Sequence, residues 1–307
     1  MPNINTPVFL VTFKDSKRQK TIKKKLNFLK IKYKVFYAIG GENRNNFKTL
    51  DQLCDHNKTK KITGKRLEYT AISNAECHLR IYKHIVKNSI SNAVIMEDDC
   101  YPSKILIQWL KLKKFFKNKE YDLIHIHHNF GLVFKKSFQF LDNKFSLYKT
   151  CYTLPYTTCY QISKRACSYI LSKNKKISLG SDWPVNFYKT NLNQFAVLPY
   201  IASVVYNHEN TSYSQNQWKK SYLKAKIKKF IPFYNILTAL YFILHIPYML
   251  RIYKNYSYYK ENFLLRKIFY IKNLLSNNYI NLQTIAKNKF YYPFDLVENF
   301  DKQTKTT

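Results

Sequence analysis

The sequence predicts an α/β fold of the Rossmann type, followed by a basic helical appendage. The apolar run of residues 8–13 gives way to a helical pattern and then to a second strand, which is the order of a nucleotide-binding unit. Another apolar run, residues 93–96, ends abruptly at the carboxylates Glu97, Asp98 and Asp99. Short continuous apolar runs are typical of strands buried in a parallel sheet. A basic, aromatic composition near the C-terminus predicts the appendage.

The charge balance favours a polyanionic partner. The 307 residues include 52 Lys and Arg against 18 Asp and Glu, a formal net charge of +34. Nucleic acid, an anionic membrane and a phosphorylated substrate would all suit such a chain. An AT-rich coding sequence would also enrich lysine, so the position of the charge matters more than its size.

The cysteines and the N-terminus both favour a cytoplasmic protein. The six cysteines form neither CxxC pairs nor the regular spacings of a disulfide framework, which predicts free thiols in a reducing compartment. The first residues carry no cationic segment and no small-residue cleavage site, so we expect no secretion signal.

The first third of the chain reads as a strand, a helix, a strand and a further helix. Ile22, Leu26 and Leu29 define the first helix, and residues 32–39 form the second strand, which ends at two glycines. The GxGxxG fingerprint is absent, so Arg18 and the local lysines would have to bind phosphate. The polar residues 43–66 predict a loop or a pair of short helices.

A longer amphipathic helix begins near Ala71 and carries His78 beside its apolar face. The strand of residues 93–96 follows, and its three terminal acids lie where α/β sheets bind ligands. Three adjacent carboxylates in so basic a chain suggest a seat for Mg²⁺ or Mn²⁺. The alternative is an acidic turn in which Asp99 or Ser103 caps the next helix.

The middle of the chain predicts a helix over residues 105–116 and a strand over 121–128. His125 and His127 alternate to one face of that strand, where two histidines could hold a transition metal. No Cys or carboxylate stands in register with them, which favours a structural role. Residues 134–154 suggest an antiparallel hairpin or an acceptor-side loop.

A short strand over residues 157–163 leads into a helix that Ser163 is suited to cap. The following turn places Asp182 beside Trp183, an acid next to a stacking surface, as in sites that bind sugars. Asp182 could instead cap a helix, with Pro184 two positions later. Residues 195–205 predict a last strand that passes through Pro199.

The domain boundary falls near residue 215, which separates a domain over 1–215 from a basic helical region over 216–307. In the second region, lysines and arginines flank the apolar residues 230–247, a run slightly shorter than the roughly 20 residues that span a bilayer. Prolines interrupt this run and both flanks are basic. A helix lying in an anionic leaflet fits best, with a buried core helix and a true span as alternatives.

These segments together resemble glycosyltransferase family 25, the bacterial lipooligosaccharide galactosyltransferases and their relatives. Glu97-Asp98-Asp99, preceded by Ile95-Met96, is similar to the family's Leu-Glu-Asp-Asp signature. The other matching segments are, in chain order, residues 8–13 with Arg18, residues 38–41, residues 77–79, residues 158–163, Asp182 with Trp183, and Pro199.

The match departs from the family pattern at several positions. Thr12 stands where an Asn is usual, and Gly40 stands in for an Asp. The family's Gly-Glu-x-Gly-Cys segment falls on residues 70–74, so its Glu is lost unless Glu68 or Glu76 substitutes. This last departure bears on the identity of the donor or acceptor more than on the reaction class.

The resemblance implies a GT-A-like fold with a mixed sheet, and an inverting transferase. It implies transfer of galactose from UDP-galactose, in β linkage, to a lipooligosaccharide or lipopolysaccharide core or a related glycan. Asp98 and Asp99 would hold Mn²⁺ or Mg²⁺ on the donor diphosphate, with His208 as a further ligand. Asp182 would be the base. The expected donor-binding residues are Thr12, Arg18, Ala38, Gly41, His78 and Glu97.

The expected partners are a nucleotide-sugar donor, a lipid-linked oligosaccharide acceptor and the anionic cytoplasmic face of the inner membrane. Another nucleotide sugar is the alternative donor. Two readings from other classes stay open: a basic nucleic-acid-binding protein, and an inactive, membrane-attached scaffold. Against the first, the densest charge flanks an apolar segment rather than lining a groove, and no nucleic-acid-binding motif occurs.

Overall fold

The computed structural model describes residues 6–40, 43–63, 66–112, 121–128, 132–141, 144–154, 156–181, 185, 187, 190–204 and 279–281. In the first half, the elements are β1 (Val8–Phe13), α1 (Arg18–Phe28), β2 (Lys34–Ala38), α2 (Phe47–Leu53), α3 (His56–Thr63), α4 (Tyr69–Lys87), β3 (Asn92–Glu97), β4 (Cys100–Pro102) and α5 (Ile105–Leu110). In the second half, they are β5 (Leu123–His125), β6 (Leu132–Leu141), β7 (Phe145–Thr150), β8 (Cys159–Ser163), α6 (Lys164–Lys173), β9 (Gln194–Leu198), β10 (Ala202–Val204) and β11 (Tyr279–Asn281).

Nine of these strands form one mixed sheet in the order β11-β6-β7-β9-β5-β8-β3-β1-β2. β1 is parallel to β2 and β3, and β5 is parallel to β9, whereas the remaining pairs are antiparallel. The carboxyl ends of β1, β3, β5 and β9 therefore meet at one edge, together with the start of the reversed strand β8. We call this edge the carboxyl edge.

Helices cover both faces of the central strands. Alternate residues of β1 point to opposite faces, so Leu10 packs with α1 and α5, whereas Phe9 packs with α4 and α6. The same alternation in β3 places Met96 in the first cluster and Ile95 in the second. Burial on both faces explains why these strands read as continuous apolar runs.

Most predicted elements of the first domain are present. Residues 43–63 form a short 3₁₀ turn followed by α2 and α3, the pair of short helices. β6 and β7 form the predicted hairpin. Ser163 caps α6, since its hydroxyl oxygen accepts a hydrogen bond from the Ala166 amide at 3.1 Å. The helix predicted over residues 105–116 is described only as α5, and residues 113–120 lie outside the described part of the chain.

Two predicted strands are shorter than expected. The strand predicted over residues 121–128 ends at His125, because the Ile126 and His127 amides both turn to the Cys159 carbonyl, at 3.1 and 2.9 Å. The strand predicted over 195–205 divides at Pro199, which has no N–H to donate to a ladder. Further along the chain, β10 begins at Ala202 and pairs with β4 in a separate two-stranded sheet.

Most of the C-terminal region lies outside the described residues, including the apolar residues 230–247. The described residues 279–281 are a strand rather than the predicted helix, and they pair with β6 at the edge of the large sheet. The boundary at residue 215 stays a prediction. No helix within the described ranges has both the length and the apolar character needed to cross a membrane.

Candidate active site

The carboxyl edge brings Thr12, Arg18 and Asp98 together at the ends of β1 and β3. The Thr12 hydroxyl lies 2.8 Å from Asp98 Oδ2, to which it can donate a hydrogen bond. Arg18, the first residue of α1, places Nη2 2.8 Å from Asp98 Oδ1. Both oxygens of this almost fully buried carboxylate are thus engaged. The predicted metal ligand Asp98 is in this state the anchor of Arg18.

Asp99 is in a different situation, because its negative charge is poorly compensated. Its Oδ1 atom is buried and has no hydrogen-bond partner among the described residues, and its Oδ2 atom is 3.9 Å from Arg18 Nη1. Burial, together with the negative charges of Glu97 and Asp98, raises the pKa of Asp99 to about 7 against the opposing effect of Arg18. Asp99 therefore has an oxygen that could bind a cation or accept a hydrogen bond.

No group of three or more His, Cys, Asp or Glu side chains within the described residues could by itself hold a metal ion. This does not conflict with a site for Mg²⁺ or Mn²⁺ on a diphosphate, because Mg²⁺ is commonly bound by one or two carboxylates plus substrate phosphates. The unpartnered oxygen of Asp99 fits such a site, and Asp98 fits it only if Arg18 moves. His208, the third predicted ligand, lies outside the described residues.

Glu97 accepts hydrogen bonds from three side chains. His78 Nε2, Asn74 Nδ2 and the Thr157 hydroxyl approach the same oxygen, Oε1, at 3.1, 3.1 and 2.8 Å. Burial would raise the pKa of Glu97, but these bonds and the nearby His78 together lower it to about 2. Glu97 is therefore ionised at neutral pH, with Oε2 making no hydrogen bond to the described residues.

His78 links Glu97 to a buried pair of tyrosines. Its Nδ1 atom is 2.7 Å from the Tyr160 hydroxyl, which is in turn 2.7 Å from the Tyr82 hydroxyl. All three side chains are at most 1% exposed. A chain of buried hydrogen bonds holds its members in one arrangement, so His78 is in place to orient Glu97.

Of the remaining predicted site residues, Ala38, Gly41 and Asp182, only Ala38 lies within the described part of the chain. Ala38 is buried at the end of β2, opposite Phe13 of β1, and can contribute only its methyl group and its backbone. Gly41 and Asp182 lie outside the described residues. Ser181, the neighbour of Asp182 in the chain, places its hydroxyl 3.0 Å from Asn74 Nδ2, in the network around Glu97.

Neither Glu68 nor Glu76, the candidates for the family's missing Glu, forms a hydrogen bond or ion pair with the described residues of the network around Glu97. Glu76 forms an ion pair with Arg80 one turn further along α4, and Glu68 is exposed at the start of that helix. Asn74, within the segment aligned with the family's Glu, contacts Glu97 instead. Sequence reasoning gave no role to Asn74, Thr157 or Ser181, and the polar pattern of α4 near His78 was the only signal for Asn74.

The three histidines at and after the end of β5, His125, His127 and His128, belong to no cluster of metal-binding side chains among the described residues. His127 Nδ1 lies 3.3 Å from the Ala202 carbonyl, and His128 Nε2 lies 3.0 Å from the Val197 carbonyl. Burial lowers the pKa of His125 to about 3, and the pKa values of His127 and His128 to about 4. All three rings are buried and neutral, and His127 and His128 contact different carbonyls, which supports the structural role over the zinc site.

A crevice that encloses only about 10 Å³ opens between α4 and residues 174–181, beside His78. Its lining includes Ala75, Leu79, Ile177 and Ser181. Ligand pockets usually enclose about 300–1,000 Å³, so this crevice is small for a nucleotide sugar. The carboxylates at the carboxyl edge, rather than this crevice, mark the candidate site.

Comparison with known proteins identifies the class. The family model of glycosyltransferase family 25, described as an LPS biosynthesis protein family, matches residues 5–188. The match includes every side chain described above for the site; the predicted ligand His208 and the carbonyls of Val197 and Ala202 lie beyond it. The chain is therefore a glycosyltransferase, and the large mixed sheet fits such a domain. It belongs to glycosyltransferase family 25, whose members act in lipopolysaccharide biosynthesis with a nucleotide-sugar donor and a glycan acceptor.

Other comparisons add little. No curated protein sequence matches this chain. Among solved structures, the crystal structure of A197 from STIV is similar over 62% of this chain and 81% of that chain, with 13% identity and a TM-score of 0.35. So low a score carries no argument about function.

Proposed function

We propose that this enzyme transfers galactose from UDP-galactose to a lipopolysaccharide core oligosaccharide, with inversion at the anomeric carbon. The observation that carries the proposal is the cluster of Arg18, Asp98 and Asp99 at the carboxyl edge. It combines a cation with a carboxylate oxygen that has no partner among the described residues. Diphosphate is the leaving group that such a cluster suits, because its departure requires compensation of negative charge.

Arg18 is the protein's own contribution to that compensation. Its side chain is about a quarter exposed, so it can meet a diphosphate while Asp98 and Thr12 hold it in position. Asp99 would hold Mn²⁺ or Mg²⁺ together with the donor phosphates, and His208 would be a further ligand. Asp98 would join them only if Arg18 moved away from it. The metal, when bound, would supply additional positive charge to the leaving group.

The other roles follow from position and chemistry. Glu97, ionised and held by His78, has Oε2 available to accept a hydrogen bond from the ribose or sugar of the donor. Ala38, at the end of β2, and Gly41 would line the nucleotide site. Asp182 would remove the proton from the attacking acceptor hydroxyl. The contact of its neighbour Ser181 with Asn74 supports this assignment.

The test is the release of UDP from a panel of UDP-sugars in the presence of Mn²⁺ or Mg²⁺. We expect UDP-galactose to be hydrolysed slowly alone and faster with a lipid-free core oligosaccharide, to give a β-linked product by NMR. If the enzyme used a different UDP-sugar but not UDP-galactose, the donor assignment would be refuted. An α-linked product would refute inversion. Asp182→Asn should lose rate but keep UDP affinity, so an unchanged rate rejects Asp182 as the base.

We further propose that residues 216–307 attach the enzyme to an anionic membrane surface. Basic residues on both sides of the apolar residues 230–247 support this, because each Lys or Arg near an anionic leaflet contributes roughly 1 kcal/mol. The full chain should sediment with anionic vesicles and much less with neutral ones. Replacing Lys224, Lys226, Lys228 and Lys229 with Glu should weaken sedimentation, and equal sedimentation of both proteins would refute the attachment.

A further inference from the structure

His127 is a buried side chain at the carboxyl edge to which the scheme above gives no role. It lies two residues beyond the end of β5 and is 1% exposed. Its Nδ1 atom contacts the Ala202 carbonyl at 3.3 Å, but its Nε2 atom is buried and has no hydrogen-bond partner among the described residues. Buried polar atoms are almost always hydrogen-bonded in native proteins, so this nitrogen indicates a missing partner.

The contact with Ala202 determines which nitrogen of His127 carries the proton. A carbonyl oxygen can only accept a hydrogen bond, so Nδ1 must be the donor. Burial lowers the pKa of His127 to about 4, although the Ala202 bond and Glu97 oppose this, and the ring is neutral at pH 7. Nε2 therefore presents a lone pair. It can accept from an O–H or N–H group, whereas a phosphate oxygen has no proton to offer it.

His127 is close to the carboxylates of the candidate site. Glu97 is near enough to act electrostatically on its ring. The strand that supplies the Ala202 carbonyl, β10, pairs with β4, and β4 begins at the residue after Asp99. A missing partner of His127 would therefore be a molecule bound at the same edge.

The neighbour of the His127 ring is also unusual. Tyr156 meets the ring edge-on, with 5.9 Å between centroids, and its backbone φ is 92°. This is the left-handed region, which aromatic residues rarely occupy and which is found disproportionately at functional sites. The next residue, Thr157, donates to Glu97, so the strained segment joins His127 to the Glu97 network.

We propose that Nε2 of His127 accepts a hydrogen bond from a hydroxyl group of a hexose bound at the carboxyl edge. The hexose is either the transferred sugar or the sugar that receives it. This inference rests on the proposed function, because glycosyl transfer is what brings hexoses to this edge. Hydroxyls are the neutral donors that both substrates carry, and they match a neutral acceptor that cannot bind phosphate oxygens.

Two substitutions separate the two nitrogens of His127. His127→Asn places an amide N–H near the position of Nδ1, so it can keep the Ala202 contact while Nε2 is lost. His127→Gln reaches the position of Nε2 and can present an acceptor there. The matched control is His128→Gln. His128 is equally buried, its Nδ1 atom likewise has no partner among the described residues, and Gln can imitate the bond of its Nε2 atom to the Val197 carbonyl.

The experiment measures UDP-galactose hydrolysis without acceptor, and transfer to a lipid-free core oligosaccharide, at pH 7.5 with Mn²⁺. We expect His127→Asn to lower kcat/KM by about 10-fold to 100-fold, as for a buried polar group left unpaired. His127→Gln should recover part of the loss, and His128→Gln should match the wild type. Urea midpoints confirm that each variant is folded.

The two sources of the hydroxyl give different patterns. If the hydroxyl belongs to the donor sugar, His127→Asn slows both reactions. One of the 2-, 3-, 4- and 6-deoxygalactose analogues of the donor is then used equally by the variant and the wild type. An acceptor hydroxyl leaves hydrolysis unchanged and raises the KM for the oligosaccharide.

A folded His127→Asn protein with wild-type rates in both reactions would overturn the inference. The hydrogen-bond partner of Nε2 would then be a water molecule. A wild-type protein that uses no UDP-sugar would refute the proposed function, and with it this inference, before any variant is compared.

Discussion

Acidification should destabilise the domain through the buried histidines His125, His127 and His128. Each is at most 1% exposed, and burial lowers its pKa from 6.5 to between about 3 and 4. In the unfolded chain these rings take up a proton below pH 6.5, whereas in the folded chain they do not. The unfolded state therefore binds more protons, and the free energy of unfolding falls as the pH falls from 6.5 towards 4.

His128→Gln allows the contribution of one ring to be measured. The linkage relation gives a loss of about 1.4 kcal/mol per histidine at pH 5.5 and about 2 kcal/mol at pH 5. Gln can keep the bond to the Val197 carbonyl but cannot take up the proton. Other groups, including Asp99 with its opposite effect, titrate in both proteins and cancel in the comparison.

The assay is urea unfolding followed by circular dichroism between pH 7.5 and 5. The difference in unfolding free energy, variant minus wild type, should rise by about 2 kcal/mol over this range. The control is His84→Gln, since His84 is only partly buried and should give a smaller rise. A difference that stays constant with pH would refute the claim that His128 is buried and neutral.

Three further predictions concern buried polar groups. Glu97→Gln should lose about 3 kcal/mol of stability at pH 7, since the lowered pKa of Glu97 stabilises the fold above pH 4.5 and this contribution disappears as the pH falls towards 2; urea midpoints that follow the same pH dependence in both proteins would contradict this. Asp122→Asn weakens the bonds that Asp122 accepts from Arg165 and from the Asn193 amide, and should cost about 1–3 kcal/mol in urea unfolding; an unchanged midpoint would refute it. Tyr160→Phe leaves His78 without its partner at Nδ1, and should lower both the unfolding free energy, by about 1–3 kcal/mol, and the turnover rate. Full activity would show that Glu97 does not depend on the hydrogen bonds among His78, Tyr160 and Tyr82.

The elements that sequence predicts best here are those whose pattern is local. Residues 8–13 and 93–96 are strands because burial on both faces requires continuous apolar side chains. Ser163 caps its helix through a bond to a residue three positions away. The carboxylates after β3 could be placed at the carboxyl edge because strand ends in α/β sheets collect ligands.

The partners of those carboxylates could not be read from local pattern. Thr12 and Asp98 are 86 residues apart and Thr157 and Glu97 are 60 apart, and both contacts depend on the strand order around β3. The antiparallel insertion of β8 between β3 and β5 brings Thr157 to the carboxyl edge. A pattern of hydrophobicity along the chain does not specify that order.

The different environments of the three acids Glu97, Asp98 and Asp99 are likewise a property of the fold. Adjacent in sequence, they differ because Glu97 meets three donors, Asp98 meets Thr12 and Arg18, and Asp99 has an oxygen without a partner among the described residues. The sequence could identify the group of acids, but not which of them is structural. Asp99 is the acid whose buried oxygen has no partner among the described residues, which makes it the best candidate of the three for a metal ligand.

The most direct test asks whether Asp99 binds the metal on the donor diphosphate. It compares Asp99→Asn with the wild type for Mn²⁺-dependent release of UDP from UDP-galactose. We expect loss of UDP release with an unchanged or higher unfolding free energy above pH 7, because the substitution removes a partly buried charge that Arg18 compensates only partly. Wild-type UDP release by a folded Asp99→Asn protein would contradict this expectation.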